Sequence, residues 1–342
     1  MTKRSFLAVM LLVVPLASLP GPADAQLLMN GAGATFPYPI YSKWFEEYIK
    51  VDPEVRFNYQ SIGSGGGIRQ ITERTVDFGA SDGPMSESQI QAVNGNVVHI
   101  PTVLGAVVVT YNLPSLGDTK LKLDGNAIVD IFMGRITKWN DKRLAALNPG
   151  VNLPDHQILP VYRSDGSGTT YIWTDYLTKS SADFQSRIGK NTSVHWTVGI
   201  GQKGNEGVSG MVRNSPYSFG YVELIYALQN KMSFGVVKNP AGKFVKASPE
   251  TVSAAAAGAA KAMPNDFRVS ITNAPGDQSY PISSFTWLLI PTKSPDPKKG
   301  EILKEFLKWM LEKGESEATG LAYAPLPAPV AQKVQGAIGY LK

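Results

Sequence analysis

Apolar positions along this chain follow two periods that alternate from one end to the other. Short apolar runs at Val97–Ile100, Ala106–Tyr111, Ile158–Tyr162, Phe219–Val222 and Phe285–Ile290 read as strands. Helical spacing appears between them. In Ile40–Ile49, Tyr41, Trp44, Phe45 and Tyr48 fall at i, i+3, i+4 and i+7. In Glu301–Leu311, Ile302, Leu303, Phe306, Leu307, Met310 and Leu311 share one side. The alanine-rich stretch Ser253–Ala262 reads as a short surface helix, and Ala324–Pro329, with three prolines, as an extended connector before a last short helix. Strands alternating with helices predict an α/β fold.

The first residues depart from this pattern. Lys3 and Arg4 precede an apolar run from Phe6 to Leu16, followed by Pro20, Pro22 and the triplet Ala23-Asp24-Ala25. That order predicts a secretory signal peptide over residues 1–25, cut after Ala25; the run is too short for a bilayer, which needs roughly 20 residues. The chain has no cysteine, which excludes disulfides, thiolate metal sites and a lipid at the cleavage junction. A soluble, periplasmic protein is expected. The formal charge is +5, and the leader carries two cations and one acid, which leaves +4 on the remaining 317 residues. The cations are scattered, without the patch or stripe of a nucleic-acid binder.

Three segments share one design of small residues, a hydroxyl and the start of a helix. They are Gly31-Ala-Gly-Ala-Thr35-Phe36-Pro37, Gly63-Ser64-Gly65-Gly66-Gly67-Ile68 and Arg163-Ser164-Asp165-Gly166-Ser167-Gly168-Thr169. A helix N-terminus offers unpaired N–H donors and about half a positive charge, and glycines let an anion reach the backbone. Thr35 is the expected N-cap of the first helix, with Pro37 in its first turn. Asp82 and Asp165 are ordinary turn residues on the plainest reading. Beside these segments they acquire a second one: Asp165 holds the Arg163 guanidinium, and Asp82 accepts a hydrogen bond from the ligand. Such an acceptor favours an anion that carries a proton at neutral pH, as phosphate does and sulfate does not.

These motifs, with Val76-Asp-Phe-Gly-Ala-Ser-Asp82, Phe132-Met-Gly-Arg-Ile-Thr-Lys-Trp-Asn140, Leu147-Asn-Pro-Gly150, Gly201-Gln-Lys-Gly-Asn205 and Gly220-Tyr-Val-Glu223, resemble the periplasmic phosphate-binding proteins of phosphate ABC transporters over nearly the whole mature chain. The resemblance implies a two-lobed periplasmic-binding-protein fold of the type II kind, with phosphate held between the lobes and no catalysis. It implies ligand contacts from the Thr35 hydroxyl, the Phe36 N–H, Ser64, Arg163, Ser167, Gly168 and Thr169. Asp82 would take the ligand's proton and Asp165 would support Arg163. Gly65 stands where close relatives often carry a second serine, so that hydroxyl contact is lost. Expected partners are phosphate and an inner-membrane permease, with the receptor a monomer and no cofactor.

Lobe one is expected to combine 26–108 with 282–342, and lobe two to be 109–281, with hinges at Ala106–Tyr111 and Tyr280–Ser284. Gly199-Ile-Gly201-Gln-Lys-Gly204 satisfies G-x-G-x-x-G after a candidate strand at Val194–Val198, but Gly207 and Gly210 favour a long mobile loop over a dinucleotide site. His99, His156 and His195 lack metal-type spacing. The competing readings are a receptor for another tetrahedral oxyanion such as sulfate, and an exported phosphatase; the second needs a nucleophile with a base or a metal cluster, and neither is visible.

Overall fold

The computed structural model describes residues 26–117, 119–259 and 263–342, so the leader expected at 1–25 lies outside the described residues. One strand organises the rest. Val97–Tyr111 unites two of the expected runs into fifteen residues, and the two ends of this strand belong to different neighbourhoods. Its first part, Val97–Ala106, pairs antiparallel with Ser283–Pro291, which leads on to Phe78–Ser81, Leu27–Gly33 and Val55–Ser61. Its second part, Val107–Tyr111, pairs antiparallel with Ser218–Glu223, which leads on to Leu159–Arg163 and Ile200–Gln202. Pro101 in mid-strand hid this continuity, because proline removes a ladder donor. The register shifts opposite it, between Thr286 and Trp287, and such a bulge re-aims side chains.

Each half of the sheet is covered by helices whose apolar stripes match the expected periods. Tyr38–Val51 buries Ile40, Tyr41, Trp44, Phe45 and Tyr48, and Pro297–Glu312 buries Ile302, Leu303, Phe306, Leu307 and Met310. Their rings meet: Phe45 stacks on Phe57 at 4.6 Å, and Phe306 lies 4.8 Å from Phe57. On the other side Phe132, Trp173, Trp196 and Tyr221 form a second aromatic cluster under Gly168–Ser180. These rings dominate the buried area, at 150–250 Å² each.

Several expectations need correction. The alanine-rich stretch is helical over Pro249–Ala256, but Val252, Ala255 and Ala256 are buried, so one face joins the core; residues 260–262 lie outside the described residues. Val194–Val198 is not a strand, since Trp196 turns into the aromatic cluster instead of entering a ladder. The glycine-rich loop expected around Gly207 and Gly210 is a helix, Gly204–Asn214, because Val208 and Val212 bury one face and tertiary packing overrides the low propensity of glycine. Thr35 does not cap the first helix. The N-cap position is Pro37, and the Thr35 hydroxyl is engaged elsewhere.

Gly67 shows how tightly the helix Ser64–Thr72 lies on its strands. A Cβ there would come within 2.6 Å of the Gly33 Cα and 2.7 Å of the carbonyl oxygens of Ala32 and Ala80. All three are backbone atoms that cannot swing aside. Alanine gains about 1 kcal/mol in helix propensity over glycine, whereas overpacking costs about 1–3 kcal/mol. Gly67→Ala is therefore expected to destabilise by about 1–2 kcal/mol. Gly210→Ala, with nothing within 4 Å of its new Cβ, is expected to stabilise by about 0.5–1 kcal/mol. Urea midpoints of the two variants check the opposite signs.

Candidate functional site

The three glycine–hydroxyl segments end at one place. Leu27–Gly33 delivers Thr35 and Phe36, Val55–Ser61 runs into the helix Ser64–Thr72, and Leu159–Arg163 runs into the helix Gly168–Ser180. Thr35, Phe36, Ser64, Asp82, Arg163, Ser167, Gly168 and Thr169 are all buried. The close approach is measured at Gly168, where a Cβ would lie 2.4 Å from both the Asp82 Oδ2 and the Ser64 Oγ. The second and third segments also bond directly, Gly65 N–H donating to the Gly166 carbonyl at 2.9 Å.

The hydroxyls share one electrostatic property. Thr35 Oγ1 accepts from Asn205 Nδ2 at 2.7 Å, and Ser64 Oγ accepts from the Asp82 N–H at 3.1 Å. Ser167 Oγ accepts from the Thr170 N–H at 3.0 Å, and Thr169 Oγ1 accepts from Arg163 Nη1 and Asn205 Nδ2, each at 3.2 Å. A hydroxyl has one hydrogen and two lone pairs. With lone pairs committed to protein donors, Thr35, Ser167 and Thr169 keep their O–H free to donate, while the Ser64 O–H lies 3.5 Å from Asp82 Oδ2 in a long, weak contact.

Arg163 is the cation among these residues, and it is clamped. Its Nε donates to Asp165 Oδ1 at 2.7 Å and its Nη2 to Oδ2 at 2.5 Å, the bidentate geometry of a strong charge-assisted pair. Burial alone would raise the Asp165 carboxyl, but the Arg163 bonds and charge, with the Gly204 N–H, hold it below its ordinary value. Asp82 is different. It has no ion-pair partner among the described residues, and burial pushes it from 3.8 up to about 7 despite a bond from Thr286 Oγ1 at 2.7 Å, the charge of Arg163 and the Ser64 hydroxyl.

Three residues to which the sequence assigned no role complete this arrangement: Thr286 and Tyr226, and Asn205, which ends one of the motifs. Asn205 ties Thr35 to Thr169, and its Oδ1 accepts from the Glu223 N–H at 3.0 Å. Thr286, carried at the bulge, holds Asp82, and the Tyr226 hydroxyl donates to the Thr35 carbonyl at 2.6 Å. Glu223, noted only as part of a motif, is fully buried with Oε1 unpartnered; burial raises its pKa well above the ordinary value, against bonds from Ile225 and Leu224 N–H. Among the described residues no group of three His, Cys, Asp or Glu is arranged to hold a metal ion, and no helix is long and apolar enough to cross a membrane.

A cradle of outward donors closed by a buried acceptor, on a sheet divided along one long strand, is the architecture of a solute receptor that encloses its ligand. The family model described as the PBP superfamily domain matches residues 20–313, and the fold is that of the two-lobed periplasmic binding proteins. The chain belongs to the family of PstS phosphate-binding proteins. It is 43% identical over 335 residues to the phosphate-binding protein PstS of Pasteurella multocida (strain Pm70), covering 98% of this chain and 95% of that protein. To the protein of the same name from Methanocaldococcus jannaschii it is 35% identical over 365 residues, covering 97% and 94%. Among solved structures it resembles a periplasmic phosphate-binding protein, PfluDING, bound with phosphate, at TM-score 0.71 and 20% identity over 91% of this chain and 93% of the other.

The environment of Asp82 makes stability depend on pH with a definite sign. The folded chain holds the Asp82 proton more tightly than the unfolded chain, so it binds more protons between pH 3.8 and about 7. Stability then falls as pH rises through that window and is level above it. Glu315, pushed by burial up to about 8, and Glu223 add slope of the same sign. Asp82→Asn is expected to remove part of the fall, up to about 4 kcal/mol between about pH 4 and pH 7. Urea midpoints across this range, measured without phosphate, check it; an unchanged slope would mean that water reaches the carboxyl.

Proposed function

We propose that this protein captures inorganic phosphate between two lobes and delivers it to the permease of an ABC-type importer. The observation that carries the reading is the set of hydroxyls Thr35, Ser167 and Thr169, each left with its O–H as a donor, with Ser64 held only weakly at 3.5 Å by the lone acceptor Asp82. Phosphate oxygens would accept from these hydroxyls, from Arg163 and from N–H groups at Phe36, Ser64, Gly168 and Thr169, while the protonated oxygen would donate to Asp82. The names of the curated relatives, phosphate-binding proteins, favour this ligand over sulfate and over a phosphatase reading. In this reading the protein binds without turnover and works as a monomer. It is exported through the leader at 1–25 and acts in the periplasm.

The lobes are proposed as 26–108 with 282–342, and 109–281. Support comes from the change of partner along the long strand at Ala106 and Val107, where the Val107 N–H donates to the Ile282 carbonyl at 2.9 Å. Thr35, Phe36, Ser64 and Asp82 would then stand on one lobe and Arg163 to Thr169 on the other, so that ligand binding favours the closed form.

Calorimetric titration of the exported protein with phosphate and with sulfate tests the reading. The titrations are run at a pH well above 7, where Asp82 is ionised; there sulfate leaves it facing a lone pair, and an unpaired buried charge costs several kcal/mol. Phosphate is expected to bind roughly a thousandfold tighter, about 4 kcal/mol. Comparable affinities would reject Asp82 as the selector. Arg163→Ala is expected to cost about 2–4 kcal/mol of phosphate affinity, and Asp165→Ala part of that.

A further inference from the structure

Outside the cleft, a stretch without helix or strand, Met263–Thr272, is bonded at its two ends to different sets of elements. Its first half is held to elements of the proposed lobe 26–108 with 282–342. Lys333 Nζ donates to the Met263 carbonyl at 2.6 Å, and Trp287 Nε1 to the Phe267 carbonyl at 3.0 Å. Arg268 Nη1 donates to the Met85 carbonyl at 3.1 Å, and its Nη2 pairs with Glu87 at 2.7 Å. Its second half is held to the helix Gly168–Ser180: Ser270 and Thr272 both donate to the buried carboxylate of Asp175, and Lys179 reaches the Thr272 carbonyl at 3.1 Å.

Both anchor points lead straight to the cradle. Met85 lies three residues beyond Asp82, and its N–H donates to His99 Nε2 at 3.0 Å, so Arg268 and His99 grip the same residue from its two backbone groups. Between them, Gly83 abuts the ring of Tyr171, where a Cβ would come 2.7 Å from Cγ. Asp175 sits on the helix whose first residues are Gly168 and Thr169. Arg268 is itself fixed, its Nε and Nη2 chelating Asp266 at 2.8 and 2.7 Å, the same two-residue spacing that fixes Arg163 on Asp165.

We infer that Arg268 is a positioning residue for ligand capture: the strap Met263–Thr272 ties the loop carrying Asp82 to the helix carrying Gly168 and Thr169, and so limits how far the cleft opens. Arg268 touches no ligand in this scheme. It acts by raising the share of protein in which acceptor and donors already face each other, and apparent affinity scales with that share. The inference rests on the two-lobed reading proposed above.

The chain has no cysteine, so cysteines introduced at the exposed positions Glu54 and Arg187 can carry spin labels without competition. In the protein without phosphate, Arg268→Ala is expected to lengthen the label-to-label distances. It should also weaken phosphate binding roughly tenfold, by calorimetry, with the preference over sulfate retained. Arg268→Lys keeps the charge opposite Glu87 and Asp266 but loses the planar fork, so it should recover most of the affinity. Distances and phosphate affinity equal to those of the unaltered protein would overturn the inference, even if Arg268→Ala lowers the melting temperature, because that alone marks an ordinary structural contact. The distance measurement needs no ligand. A protein that fails to bind phosphate at all would defeat the proposed function, and the tether would still be judged by its own readout.

Discussion

Taking a carboxylate out of water costs several kcal/mol unless something answers its charge, and at Asp82 the nearest cation is already committed. Arg163 spends Nε and Nη2 on Asp165 and Nη1 on Thr169. Asp82 therefore keeps only a hydroxyl from Thr286 and the weak approach of Ser64 at 3.5 Å. An anion site containing more acid than base has to draw its affinity from neutral donors, and the rest of the cleft follows from that requirement. Three helix ends supply the N–H groups, and the hydroxyls of Thr35, Ser167 and Thr169 are left free to donate by the protein donors behind them. What Asp82 forfeits in attraction it returns as discrimination above about pH 7, since the ionised carboxylate is satisfied only by a ligand that brings a proton.

The same requirement explains the tightness of the backbone packing. Neutral N–H groups act over short distances, so the helix ends have to converge within hydrogen-bond reach of one point. Gly168 allows the third helix to lie against Asp82 and Ser64, and Gly67 allows the second to settle onto its strands with backbone touching backbone. A single methyl at either position would separate donors that function only together. Dispersed charge would tolerate such a shift; dipoles do not.

Much of this was legible along the chain because it is local. Each glycine–hydroxyl segment is contiguous, the Arg163 and Asp165 pair is two residues apart, and the helical stripes of Tyr41–Tyr48 and Ile302–Met310 are read directly from spacing. The omissions are all long-range. Asn205 meets Thr35 across 170 positions, and Thr286 meets Asp82 across 204. A lone threonine in an apolar strand carries no mark of its role, and the bulge that aims it depends on Pro101 in another strand. The misreadings have the same origin: Thr35 suits an N-cap by type, but Asn205 claims its oxygen, and Gly207 and Gly210 suit a loop until Val208 and Val212 find a core to enter.

On the proposed division into lobes, several of these long-range bonds join one lobe to the other: Asn205 and Tyr226 to Thr35, and Gly65 to Gly166. They bear on how a receptor can hold its ligand firmly and still release it. A ligand shifts an open–closed balance only by its differential affinity, and full reversal from 1:99 to 99:1 needs about 5.5 kcal/mol. These three bonds lower the amount that phosphate must supply, yet each is a neutral bond worth about 1 kcal/mol net, since water replaces it on opening. A cleft latched by strong ion pairs would stay shut regardless of ligand. The charged pair Arg163–Asp165 lies within a single lobe, the contacts between lobes at the cleft are made by amides and hydroxyls, and the ion pair that does cross, Arg268–Glu87, has its carboxylate exposed to water and is weak, so closure stays responsive to the anion itself.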